Sequence, residues 1–313
     1  MSRSVAPLSA SRDYGCSREK LRAMVLLAGS VSPGRLLQRI GRSLFELPLE
    51  KGYTILDGWR RQVADMVGVF GLGTLPVRVL IDRGSPEPAA PANAADGPAP
   101  VTIERDPQEL RGTGGVLRDI SVGYEDDDVL VVANAAAVPM MPLHEVVDSL
   151  LRARGDVAIV SHEDGTPSGI MVLRCGVLRL LPEVGFVDLK EQGLSSIAAA
   201  HRVNVVSYSR PTSVPIRTTS AYIAALRSYH RRLRGEEDSS DPYAEDWQPA
   251  FTIIEEGASA AGGARFHDAV VLTGGRVEAG AVVVQSVVCP GGVVRRGATV
   301  VDELVSRGAS GGE

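Results

Sequence analysis

The chain has 313 residues, 44% of them hydrophobic, and a formal net charge of −5, so it can bury one large core or two smaller ones. That acidic balance supplies no global basic field and excludes general affinity for nucleic acid or an anionic membrane surface. Cys16, Cys175 and Cys289 stand far apart with no C-x-x-C pair, which predicts buried thiols in a reducing cytoplasm, and no apolar run reaches the length of a membrane span.

Residues 1–20 carry no hydrophobic stretch and read as a disordered leader. Ala23 to Ala28 (AMVLLA) is an apolar run ending at Gly29, as expected of a buried parallel strand entering a turn. Ile55, Trp59, Val63, Met66 and Val67 share one face of a helix predicted over 55–69. A second strand follows at Val77 to Ile81, and then Gly84 to Pro100, whose proline and alanine content predicts a flexible insertion.

Asp128 to Ala133 is a third strand, Leu143 to Arg154 a helix, and Asp156 to Ser161, Gly169 to Leu173 and Asn204 to Tyr208 further strands. The Asp126-Asp127-Asp128 run reads as a solvated turn. Ser220 to Leu233 predicts a helix that turns basic towards its C-terminus, as the helix dipole favours. Strands alternating with helices over 21–234 imply a doubly wound, mostly parallel sheet, an α/β class. Residues 235–250 are acidic and read as a linker.

Over 251–305 the pattern changes. Aliphatic residues recur every six positions at Val288, Val294 and Val300, with small residues four places on at Gly292 and Ala298. The same beat runs through Val271 with Gly275 and Val277 with Ala281, and slips by one residue before Val282. Neither a helix nor a surface strand repeats at six, whereas a coil of short parallel strands with tight corners does. A short left-handed parallel β-helix is therefore expected, followed by a tail at 306–313. Its regular valine faces predict an oligomer formed through the coil, and a chain ended near Arg234 should then leave a soluble, monomeric α/β domain.

Several segments together carry a family likeness. Gly112-Thr113-Gly114-Gly115-Val116-Leu117-Arg118 lies close to G-T-A-G-A-L-[KR], and Ser286-Val287-Val288-Cys289-Pro290-Gly291 close to S-V-[IV]-x-P-G. By these motifs, and by an α/β domain preceding a β-helix, the chain resembles the sugar-nucleotide pyrophosphorylases over roughly residues 21–305, mannose-1-phosphate guanylyltransferases in particular. The resemblance implies that Gly112, Thr113, Gly114 and Gly115 form a bend holding a nucleotide base through backbone groups. It also implies that Gly29, Ser30, Gly34 and Arg35 are what remains of a phosphate loop, L-A-G-G-x-G-T-R-L in the family.

The family's reaction, joining a nucleoside triphosphate to a sugar 1-phosphate, crowds negative charge and needs a cationic clamp and a divalent metal. The positions for that chemistry are changed. Pro33 removes a donor N–H from the loop. No lysine stands near Ser43-Leu44-Phe45, Ala136 occupies the place of the L-N-G-D aspartate, and Pro215 that of the D-I-G-T-P aspartate. His162 to Ser168 is short where the family carries a hairpin over the sugar, and Lys190-Glu191 is a poor substitute, read as a solvated helix end.

The expectation is a catalytically degenerate relative that binds a nucleotide or nucleotide sugar, or pairs with an active nucleotidyltransferase and regulates it. The alternative is an active transferase with a rearranged site: Arg35 on the phosphates, and Mg2+ held by substrate with a displaced acid such as Asp57 or Glu104. A β-helix acyltransferase needs a longer coil and a histidine base, and only His267 lies near this one.

Overall fold

The computed structural model describes residues 16–29, 35–86, 88–89, 94–106, 111–235 and 249–307. In chain order the α/β part contains β1 (Leu21–Leu27), α1 (Arg35–Ile40), the β2–β3 hairpin (Pro48–Glu50, Tyr53–Thr54), α2 (Ile55–Phe70), β4 (Val77–Ile81) and β5 (Val101–Arg105). Then come α3 (Gly112–Ser121), β6 (Val129–Asn134), β7 (Ala137–Pro139), α4 (Leu143–Arg152), β8 (Val157–His162) and β9 (Pro167–Arg174). The part closes with α5 (Cys175–Leu178), α6 (Leu194–Ala198), β10 (Val203–Tyr208), β11 (Ser213–Pro215) and α7 (Thr219–Leu233).

Seven strands form one sheet in the order β10-β8-β9-β6-β1-β4-β5. All neighbours are parallel except β9, which runs against both β6 and β8. The central strands are apolar on both faces because both faces are covered. Met24 and Leu26 enter one buried cluster with Val129, Val131, Val77 and Val79, while Ala23 and Val25 enter the other with Leu130 and Val132. Helix α2 starts where Thr54 and Asp57 cap each other, the Asp57 carboxylate accepting from Thr54 N at 2.8 Å. It stops at Gly71, whose φ of 68° few other residues adopt cheaply.

Three expectations for this part need correction. The leader is not extended to residue 20: Cys16 is buried, its thiol donating to Gly155 O at 3.4 Å, and Arg18 lies 4.5 Å over the Phe70 ring. Asp128 is buried rather than solvated, with Arg22 at 2.9 Å, and Asp127 and Asp126 pair with Arg174 and Arg179. Cationic side chains from β1, β9 and the end of α5 converge there, which no local composition could reveal. The insertion read over 84–100 is also tied down in its second half, where Arg60 donates to the carbonyls of Asp96 and Ala99. The acidic linker lies outside the described residues over 236–248, as do 1–15 and 308–313.

Beyond Pro249 the chain winds through ten short strands: β12 (Thr252–Ile254), β13 (Ser259–Ala260), β14 (Arg265–His267), β15 (Ala269–Val271), β16 (Arg276–Val277), β17 (Val282–Val284), β18 (Val287–Val288), β19 (Val293–Val294), β20 (Thr299–Val301) and β21 (Leu304–Val305). They form three parallel sheets, β12-β15-β18-β21, β13-β16-β19 and β14-β17-β20. Each strand pairs with the one 17 residues on, Thr252 with Ala269, Ser259 with Arg276 and Arg265 with Val282. Val271, Val277, Val288, Val294 and Val300 pack together inside, as their six-residue beat predicts.

The one-residue slip has a structural cause. Two corners of each turn use left-handed glycines, Gly257, Gly274 and Gly291 at one, Gly263, Gly280 and Gly297 at the other. The third corner, at Asp268, Gln285 and Asp302, follows one residue sooner and is also left-handed, with φ of 46° to 55°.

The coil is not a separate body. The side chains of β12-β15-β18 alternate, and those facing outward, Ile253, Val270, Leu272, Val287 and Cys289, join the α/β cluster that contains Leu36, Ile40, Phe45 and Tyr222. Polar contacts reinforce the joint. Arg42 donates to Glu255 at 2.6 Å, Arg39 to Ser306 at 3.0 Å, and Arg227 on α7 to Asp268 at 2.7 Å. The coil face and the α/β part therefore share one buried core, so a chain ended near Arg234 would lose part of that core.

His230 completes the joint, its Nε2 donating to Leu49 O at 2.8 Å and its ring stacked on Phe251 at 5.4 Å. Burial lowers its pKa below that of a free histidine. The unfolded chain then binds the proton more readily than the folded one, so stability is full above the unfolded pKa of about 6.5 and is lost as pH falls towards the folded value. Thermal unfolding midpoints should drop below about pH 6.5, and His230→Gln should flatten that part of the profile. An unchanged slope in the variant would rule His230 out as the source.

Candidate functional site at the carboxyl rim of the sheet

Chain order places the site. From β1 the chain moves to β4 and β5 on one side, then crosses back through α3 to β6 on the other. In such sheets ligands bind where the winding direction reverses, at the carboxyl ends of the strands. Here that is the rim after Leu27 and Asn134, which are register partners. Ala135 N donates to Leu27 O at 2.9 Å, and Ala136 N to the Asn134 side chain at 2.9 Å.

Of the residues expected to form a phosphate loop, Ser30 and Gly34 lie outside the described residues. Gly29 sits at the tip of β1 with the Asp82 carboxylate packed on its Cα; a Cβ there would lie 2.4 Å from Asp82 Oδ1. No other residue fits at 29 unless Asp82 moves. Arg35 begins α1 and is exposed.

The positions that the resemblance assigns to metal carboxylates come together. The β7–β11 pair aligns Ala137 with Pro215, and Ile216 N donates to Ala136 O at 2.9 Å. Ala136 and Pro215 therefore share one side of the rim, and both are hydrocarbon. A hard divalent cation takes oxygen ligands, so these residues do not fit one. Among the described residues no group of three His, Cys, Asp or Glu side chains could hold a metal.

Downstream of Pro215 the visible roles are structural. Thr218 caps α7 by accepting from Ala221 N at 3.1 Å, and buried Tyr222 donates to Pro48 O at 2.5 Å. The two displaced acids are also committed elsewhere. Asp57 caps α2, and Glu104 accepts two 2.7 Å hydrogen bonds from Arg78, which hold its carboxyl below the usual carboxylate range.

Gly112 to Gly115 is not the expected open bend. It is the first turn of α3, entered through Gly112 at φ 69°. Gly114 N and Gly115 N both point at Val187 O, at 2.9 and 3.4 Å, and Val187 N donates back to Arg111 O. Two of the N–H groups that a base would use are thus taken by the chain itself. Arg111, buried and unmarked in the sequence, locks this arrangement: it makes a bidentate pair with Asp119 at 2.8 and 2.9 Å and donates to Gly185 O at 2.9 Å. Nothing in the local sequence indicates that residues 185–189 return to this turn, because the contact spans more than seventy positions.

No protein-family model matches the chain, and no curated protein matches it in sequence. Solved structures do align with it. HddC from Yersinia pseudotuberculosis, itself also crystallised with GMP-PN, is 14% identical with a TM-score of 0.47, covering 66% of this chain and 99% of HddC. A homologue of Mycobacterium tuberculosis rv0371c from Mycobacterium sp. strain JC1 is 16% identical at a TM-score of 0.45, covering 69% and 100%. A Bacillus anthracis protein provisionally assigned as a glucose-1-phosphate thymidylyltransferase, crystallised with sucrose, is 9% identical at 0.48, covering 70% and 96%.

Proposed function

We propose that the protein is a sugar nucleotidyltransferase-like chain that binds a nucleotide or nucleotide sugar without turning it over, and that it acts as a binding or regulatory partner of an active relative. The observation that carries this reading is the adjacency of Ala136 and Pro215, joined through Ile216 N and Ala136 O, at the place where the reaction needs two carboxylates. With no acid there, neither Ala136 nor Pro215 can hold the divalent cation that would neutralise the charge crowded between triphosphate and sugar phosphate. The rearranged active site is the weaker reading, since Asp57 and Glu104 are engaged in a helix cap and an ion pair. The proposed setting is cytoplasmic, with the coil a left-handed β-helix of the hexapeptide type whose remaining faces support an oligomer; no described helix is long and apolar enough to cross a membrane.

A pyrophosphate-release assay with Mg2+ over common nucleoside triphosphates and sugar 1-phosphates tests the reading. No release above blank is expected, and turnover near the ordinary enzyme range of about 10 s⁻¹ would overturn it. Arg35→Ala should weaken nucleotide binding roughly tenfold, the lower end for a charge-assisted phosphate contact because Arg35 is exposed. Unchanged calorimetric affinity would remove Arg35 from the site.

A further inference from the structure

We propose that Phe186 is the platform on which this protein holds a nucleobase, and that the site is consequently tolerant of base identity. The inference rests on the nucleotide-binding reading above and changes how the ligand is held. The resemblance assigns the base to backbone groups of the Gly112–Gly115 turn, yet Gly114 N and Gly115 N are spent on Val187 O. The segment that takes them presents an aromatic ring beside the same turn. Phe186 Cε2 would lie 3.1 Å from a Cβ on Gly112, so the ring borders a position with no side chain, and it remains 47% exposed.

A half-exposed phenylalanine on a loose loop would mean little. This one stands on a fixed loop: Arg111 Nη1 holds Gly185 O, Val187 is bonded on both its N–H and its carbonyl, and Leu189 N donates to Thr113 Oγ1 at 3.0 Å. The backbone that carries the ring is therefore fixed in the free protein, which lowers the ordering cost of a stacking platform. Every base has a π-face, so stacking recognises bases as a class, whereas edge hydrogen bonds discriminate among them.

The test is calorimetric titration of the full chain with GDP, ADP and UDP. GDP and ADP should bind within about threefold of each other. Phe186→Ala should weaken both by roughly 5- to 150-fold, the measured range for losing a base–aromatic stack. Phe186→Leu, which keeps apolar packing without a π-face, should behave like Phe186→Ala with an unchanged melting temperature, and Phe186→Tyr should retain affinity. Wild-type binding that survives both Phe186→Ala and Phe186→Leu within twofold overturns the platform while leaving the nucleotide-binding reading intact. A GDP preference over ADP above a hundredfold overturns base tolerance. Absence of binding to all three nucleotides by the wild-type chain defeats the underlying reading itself, and the platform with it.

Discussion

A chain ended after Arg234 is expected to be insoluble or molten rather than a folded α/β domain. Removing the coil takes Phe251, Ile253, Val270, Leu272, Val287 and Cys289 out of the cluster they share with Phe45, Ile40 and Tyr222, all six being 5% exposed or less. Burial of a large aliphatic or aromatic side chain is worth about 1.5–3 kcal/mol. The set therefore contributes on the order of 10 kcal/mol, comparable with the whole stability of a typical domain. Expression of residues 1–234, followed by near-ultraviolet circular dichroism and dye binding, checks this. A cooperative thermal transition in the truncated chain would show that the α/β core closes without the coil.

Asp268→Ala should be the most damaging single substitution at the same joint. Its carboxylate is 1% exposed; Oδ2 accepts from Arg227 Nε at 2.7 Å, and Oδ1 from Ala250 N at 2.6 Å and Phe251 N at 3.2 Å. Removing one side of a buried ion pair typically costs about 3–5 kcal/mol, and here two N–H groups lose their acceptor as well. Asp268 also sits at φ 49°, a left-handed corner that aspartate tolerates better than alanine does. The melting temperature should fall by roughly 6–15 °C. Asp268→Asn keeps a side-chain acceptor and loses the charge, and should cost about half as much. A fall below 2 °C for Asp268→Ala would mean that water or a neighbouring group replaces the carboxylate.

The coil and the main strands were legible in the chain because their signals are local. The six-residue beat from Val271 to Val300 needs only a small corner and an inward aliphatic, and the same valines pack together inside the coil. Val77–Ile81 and the helix beginning at Ile55 were equally plain, the first an apolar run and the second an amphipathic face started by the Thr54–Asp57 cap. The candidate site was legible only as substitutions. The resemblance alone marked Ala136 and Pro215 as places of missing acids, and their adjacency depends on β7 pairing with β11 across more than seventy residues of chain.

Other features belonged to the tertiary structure alone. Gly112-Thr113-Gly114-Gly115 reads as a bend because glycine permits any turn; a helix forms there because Val187 O accepts from its first N–H groups and Arg111 fixes the returning loop. Glycine content alone cannot choose between those outcomes. Phe186 carried no signal, since its meaning lies in standing half-exposed on a clamped loop. By itself the sequence determined the repeat and the strand positions, which follow from side-chain type and short-range spacing, whereas the reading of Ala136 and Pro215 as positions of lost acids rests on the resemblance alone. The union of coil and sheet in one core, the fate of the glycine turn and the burial of Asp128 and Asp268 were decided by tertiary structure. Each depends on which distant groups arrive to satisfy a buried charge or an apolar face, and that information is not local to any segment.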